Sequence, residues 1–286
     1  MSAKIPIGQV ELESGSMSIY AMDDLFLNFT FDNEENWDDF RLMINILLEE
    51  YRRQNPATVA TLIEGEIHIE TQFKFYVNAN KKNKTRNQDF KLDESDTNKL
   101  KYVEFQNKSI TKPPISDRAI EYFSLSIGSN PGKMIMQIWL LASDTASVLQ
   151  EETFINYVLK DEATNKVYPN TSSILFISLT KLSQQNNIAG ELAAYLLGKL
   201  PAPESEEVKQ IANTFISSFE TFKDDKEVKN TMTMAEKWKN EAWMEGREEG
   251  RKEGVVLGIN MIIALLKNGL SLEEVERKIN EEITKE

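Results

Sequence analysis

Cysteine is absent from this 286-residue chain, and histidine occurs once, as His68. Without cysteine there is no disulfide and no thiolate metal site. A Ser-His-Asp triad or a histidine-rich zinc centre would have to be built on His68 alone, which argues against both. Positive charge is in deficit: 33 Lys and Arg face 46 Asp and Glu, for a net charge of −13. That balance opposes nonspecific nucleic-acid binding by the chain as a whole. Long apolar runs are missing too. No stretch approaches the roughly 18 residues that a membrane span needs. The opening MSAKIPIGQVELESGS has no apolar signal core. The expectation is a soluble, cytoplasmic protein with no membrane partner.

What is present is enough for a core. Hydrophobic residues make up 41% and charged residues 28%, and the length suits one large domain plus an appendage. Charge is unevenly spread. From Lys74 to Lys91, the bases Lys74, Lys81, Lys82, Lys84, Arg86 and Lys91 face the single acid Asp89. Such a patch can meet phosphates; a solvated hairpin loop explains it as well.

Residues 1 to about 20 read as a loose lead-in. Asp32 and Glu35 have capping-box spacing. Trp37, Phe40, Met43, Ile44, Leu47, Leu48 and Tyr51 then form one helical face, which Asn55-Pro56 closes. Glu64–Val77 alternates as a half-buried strand. The spacing predicts a basic turn or loop over Asn78–Gln88, a short strand over Asp89–Leu92 and a third strand over Leu100–Gln106. Ser116 is expected to cap a helix ending near Gly128. Lys133–Ala142 and Ser173–Leu179 are apolar strands. This order predicts an α/β fold with a mixed sheet. After about Thr180 only helical patterns remain, including Ala189–Leu200 and Glu206–Phe222.

The strand Leu100–Gln106 poses a question, because Glu104 and Gln106 interrupt an apolar run. Residues two apart share a face, and a carboxylate is costly to bury unless it is paired or binds metal. Hairpin geometry can bring Asp89 beside Glu104. Two adjacent carboxylates repel and raise one pKa; Mg²⁺ or Mn²⁺ with water relieves that conflict. Gln106, or Lys108 beyond it, would then orient an attacking water. The alternative is that Glu104 lies on a wet sheet face, partnered by a lysine. On spacing alone, that structural reading leads.

Several segments, taken in order, resemble the recombination-promoting nuclease family, whose members often carry a transposase label and contain a PD-(D/E)XK nuclease domain. MDDLFLNFTFDNEENWDDFRLMINILLEE (22–50) resembles its opening. QDFKLDESDTNKLKYVEFQ (88–106) resembles its metal hairpin, SDRAIEYF (116–123) the following helix, and MIMQIWLL (134–141) the next buried strand. EGREEGRKEG (245–254) resembles its low-complexity tail. The resemblance implies a bacterial, restriction-endonuclease-like domain over residues 1–180 with a helical extension over 181–286. It implies a Mg²⁺- or Mn²⁺-dependent DNA endonuclease acting in DNA recombination or genome defence. Asp89 and Glu104 would hold the metal, Gln106 would stand where the general motif has lysine, and Glu35 would be an accessory acid. Arg118 and Tyr122, one turn apart, would contact DNA phosphate, although such a pair equally suits a surface helix. The stretch Glu64–Gln88 departs from the family pattern as an apparent insertion.

Gly246, Gly250, Gly254 and Gly258 recur every four residues. Each costs a helix about 1 kcal/mol relative to alanine unless close packing uses the missing side chain. A flexible linker and a homo-oligomer seam explain this spacing equally well. Two other classes of function stand beside the nuclease: a catalytically silent nuclease-fold module that binds protein or DNA, and a structural oligomer built on the tail.

Overall fold

The computed structural model describes residues 4–12, 15–58, 60–77, 84–94, 98–107, 114–143, 152–164, 166–167 and 171–233; for 72–77 and 84–88 it describes the backbone alone. The chain divides into two compact units, Met1–Val228 and Lys229–Glu286. The glycine series, the linker at 245–254 and the expected helices beyond it lie outside the described residues, as does Lys108.

The first unit opens with an antiparallel hairpin of β1 (Gly8–Leu12) and β2 (Gly15–Ile19), where a loose lead-in was expected. Two short strands carry few alternating apolar positions, and only Val10 and Ile19 are buried anchors. Gly8 is required here because the Phe219 ring occupies the space that a Cβ would take. Next comes α1 (Asp24–Phe31), whose Phe26, Leu27 and Phe31 are buried. This helix too was absent from the sequence expectation, since eight residues give barely two turns of periodicity.

The junction to α2 (Trp37–Gln54) is a 3₁₀ turn, Glu34–Asn36, rather than a direct capping box. Asn33, not Asp32, caps it, accepting a hydrogen bond from the Glu35 N–H at 3.2 Å. The apolar face of α2 matches its predicted residues: Phe40, Met43, Ile44, Leu47 and Leu48 are buried.

A mixed sheet follows, with β3 (Ile67–Val77), β4 (Lys84–Glu94), β5 (Lys99–Gln106), β6 (Met134–Leu141), β7 (Phe154–Val158) and β8 (Ser173–Ser178) in the spatial order β3-β4-β5-β6-β8-β7. The pairs β3–β4, β4–β5 and β7–β8 are antiparallel; β5–β6 and β6–β8 are parallel. The β5–β6 connection runs through α3 (Ile115–Ser129), as a parallel pair demands. Pro114 precedes this helix as its N-cap, so Ser116 lies inside the first turn instead of capping it. Strand β4 begins at Lys84, which makes part of the expected basic loop a strand.

Helices cover both faces of the sheet. On one side Phe40 of α2 meets Phe90 at 4.9 Å and Phe105 at 6.5 Å between ring centroids. On the other, α3 buries Ala119 and Tyr122 against Trp139, Leu141 and Phe176. Three further helices, α4 (Leu179–Leu182), α5 (Ile188–Leu196) and α6 (Glu206–Phe222), belong to the same compact unit. Phe215 and Phe222 of α6 pack on Phe26 of α1 at 5.8 and 5.1 Å. Gly198, at φ +66°, ends α5 in the left-handed turn that glycine adopts without cost. Its carbonyl accepts the Ile5 N–H at 2.7 Å, fixing the start of the chain.

Among the described residues, no helix is long and apolar enough to cross a membrane.

Candidate functional site

Strand alternation splits β5 between two environments. Val103 and Phe105 face α2, and Lys101 shares that face. Lys101 is 1% exposed and paired with Glu94, whose side chain is also 1% exposed. Its amine also reaches the Leu62 carbonyl at 3.2 Å, and burial lowers its pKa. Tyr102, Glu104 and Gln106 project to the α3 side, where Tyr102 packs with Leu100 and Ile135.

Glu104 and Gln106 are buried, at 5% and 7% exposure. The β4–β5 register, with Phe90 opposite Val103, carries Asp89 to a position opposite Glu104. The Asp89 N–H donates to Glu104 Oε2 at 3.3 Å, and the Phe105 N–H donates to Asp89 Oδ2 at 2.8 Å. Two expected site acids are thus brought together. Burial pushes Asp89 from 3.8 up to about 7, with the Phe105 N–H and Arg118 opposing that shift and Asp24 adding to it. Burial also raises Glu104 well above the carboxylate range, reinforced by the charge of Asp89 and opposed by Arg118.

The counter-charge comes from α3. Arg118 donates to Glu104 Oε1 at 2.9 Å and to Gln106 Oε1 at 2.8 Å. Its guanidinium carbon lies 5.7 Å from the Tyr122 ring centroid and 5.6 Å from that of Trp139, within reach of a cation–π attraction. Arg118 and Tyr122 therefore belong to the Glu104 site. The lysine partner considered for Glu104 is an arginine instead, fourteen residues away in sequence.

Glu35 sits elsewhere. It is exposed and lines a cleft with Ser217, Ser218 and Thr221 of α6. The additional acid acting on Asp89 and Glu104 is Asp24, in the first turn of α1. Asn107, just past β5, donates its side-chain N–H to the Met22 carbonyl and ties the start of α1 to the end of β5. The consecutive acids Asp23-Asp24 ahead of the apolar Leu25–Phe31 were the available signal, since acids favour helix starts. His68 is exposed, its ring edge-on to Trp37 at 5.1 Å.

Among the described residues, no group of three or more histidine or acidic side chains forms a metal cage by itself. The donor set nevertheless suits a hard cation that keeps much of its water and needs only one or two protein carboxylates. Asp89 and Glu104 supply two adjacent carboxyl groups, the charge of Asp89 making ionisation of Glu104 harder, and a divalent cation relieves that conflict. No protein-family model, curated protein or solved structure matches the chain.

Proposed function

We infer that this protein is a metal-dependent DNA endonuclease of the restriction-endonuclease-like type, hydrolysing phosphodiester bonds at the Asp89–Glu104 pair. One observation carries the reading: Asp89 and Glu104 stand opposite each other on adjacent strands, the Asp89 backbone N–H donating to the Glu104 carboxylate, and both acids have raised pKa values. Titratable groups shifted by burial and a specific charge partner cluster at functional sites. Asp89 and Glu104 would hold Mg²⁺ or Mn²⁺. When bound, such an ion supplies an activated water and neutralises charge on a phosphate oxygen. Gln106 would orient that water, its own position set by Arg118. The exposed Asp24 is the natural further acid at the rim of the site.

A second reading rests on Arg118. Its ion pair already offsets part of the cost of burying Glu104 without a metal, and glutamine stands at 106, where the general nuclease motif has lysine. On that reading the chain is a silent nuclease-fold module that binds protein or DNA.

Plasmid cleavage by Glu104→Ala, with divalent metal supplied, tests the site. The endonuclease reading expects loss of cleavage. Full cleavage by the variant removes Glu104 from the site, and failure of the wild-type protein to bind Mg²⁺ or Mn²⁺ favours the silent module.

A further inference from the structure

Between Glu70 and Asp89 the chain has no acidic residue. Lys74, Lys81, Lys82, Lys84 and Arg86 bring five positive charges into that interval, in a protein whose net charge is −13. Lys81 and Lys82 lie outside the described residues, whereas Lys74, Lys84 and Arg86 stand on described strand backbone.

The topology gives these charges a particular place. Strand β5 pairs with β4 from Phe90 to Asp93. Ahead of that, among the described residues, β4 pairs with β3 alone, through Phe73–Gln88, Lys74–Asn87, Phe75–Arg86, Tyr76–Thr85 and Val77–Lys84. The hairpin therefore continues past the sheet as a two-stranded ribbon, about 17 Å long at the usual rise per residue. Its second strand runs directly into Asp89. By alternation Lys74 shares the sheet face of Asp89 and Glu104, while Lys84 and Arg86 share the opposite one. A ribbon with basic residues at positions on both faces thus begins where the acidic pair sits.

Duplex DNA matches both the charge and the shape. It carries one negative charge per about 1.7 Å of its axis, and its major groove, about 12 Å wide, admits a two-stranded ribbon. An acidic protein surface would match the charge but has no matching groove.

We propose that the β3–β4 ribbon is the DNA grip of this protein: Lys74, Lys84 and Arg86 neutralise backbone phosphates without reading sequence and hold a duplex beside Asp89 and Glu104. The proposal rests on the endonuclease reading and assigns its substrate-holding element.

The test is binding of the full chain to a fluorescein-labelled DNA duplex in EDTA, over a series of KCl concentrations. EDTA stops metal-dependent cleavage, so binding is read separately from chemistry. The Lys74→Ser/Lys84→Ser/Arg86→Ser variant is expected to bind more weakly, with the slope of log affinity against log salt reduced by about 3, near 0.9 per lost phosphate contact. The charge-keeping variant Lys74→Arg/Lys84→Arg/Arg86→Lys is expected to bind as wild type. If the triple serine variant does not fold, Arg86→Ser alone is expected to reduce the slope by about 0.9. Equal slopes for wild type and the serine variants overturn the ribbon assignment and leave the endonuclease reading standing. No duplex binding by the wild-type protein overturns both, and tighter binding to an RNA duplex or to an acidic polypeptide overturns the choice of DNA.

Discussion

Arg118 donates to Glu104 at 2.9 Å across the α3–β5 contact, and the carboxylate it meets is 5% exposed. A buried carboxylate stays ionised only where something offsets its lost hydration. Arg118 opposes that cost without cancelling it, since the Glu104 pKa still lies well above the usual carboxylate range, and the second hydrogen bond of Arg118, to Gln106, fixes both polar residues of β5 at once. The polar interruption of an apolar strand is therefore a built network rather than a wet sheet face.

Removing the guanidinium leaves Glu104 buried without its counter-charge. Arg118→Ala is expected to lower the unfolding free energy by about 3 kcal/mol, the low end for breaking a buried ion pair. Glu104→Gln removes the carboxyl group that Arg118 partners. The Arg118→Ala/Glu104→Gln double variant should thus lose less than the sum of the two singles. Chemical denaturation of the four proteins gives the answer; strict additivity means that the pair is not coupled.

The pH dependence of stability follows from Asp89. Unfolded, its carboxyl titrates near 3.8; folded, it holds its proton to about 7. The folded state binds more protons across that interval. Its contribution to stability is complete below about pH 4 and is lost as pH rises through about 7. The raised Glu104 acts in the same direction. Urea unfolding in the presence of chelator should show wild-type stability falling across this window more steeply than that of Asp89→Asn. Parallel curves contradict the shift.

The opposite face of β5 makes a separate prediction. Lys101 and Glu94 form a fully buried pair, and removing one member strands the other. Lys101→Met is expected to cost about 3–5 kcal/mol, while Lys101→Met/Glu94→Leu recovers most of that loss, because an apolar pair of similar volume replaces the ions. Thermal unfolding of both variants measures this, and a double variant as unstable as the single one contradicts it.

Much of the sheet is legible in the sequence. Ile67 and Ile69 alternate with His68 and Glu70, and 134–141 is almost wholly apolar, so those strands announce themselves. The α6 helix carries Val208, Ile211, Phe215 and Phe219 at helical spacing and appears as read. The opening hairpin was hidden because its two short strands carry few alternating apolar positions, and the Phe219 ring that packs on Gly8 lies some two hundred residues away. The edge strand β7 was hidden because five residues with Asn156 at the centre show no clear period. At the site, the Asp89–Glu104 neighbourhood was readable from hairpin geometry. The placement of Asp24 depends on the Asn107–Met22 tie, and Arg118 on how α3 packs over β6. The acids Asp23-Asp24 signal a helix start, but neither placement at the site leaves a local signature.

The most direct test of the central claim is nicking of supercoiled plasmid by wild type and Asp89→Ala, each with Mg²⁺, with Mn²⁺ and with chelator, using Asp89→Asn to check that the fold tolerates loss of the charge. The endonuclease account predicts nicking by wild type that requires metal and disappears in both variants. No nicking by wild type, or equal nicking by all three proteins, contradicts it and leaves Asp89, Glu104 and Arg118 as a structural network.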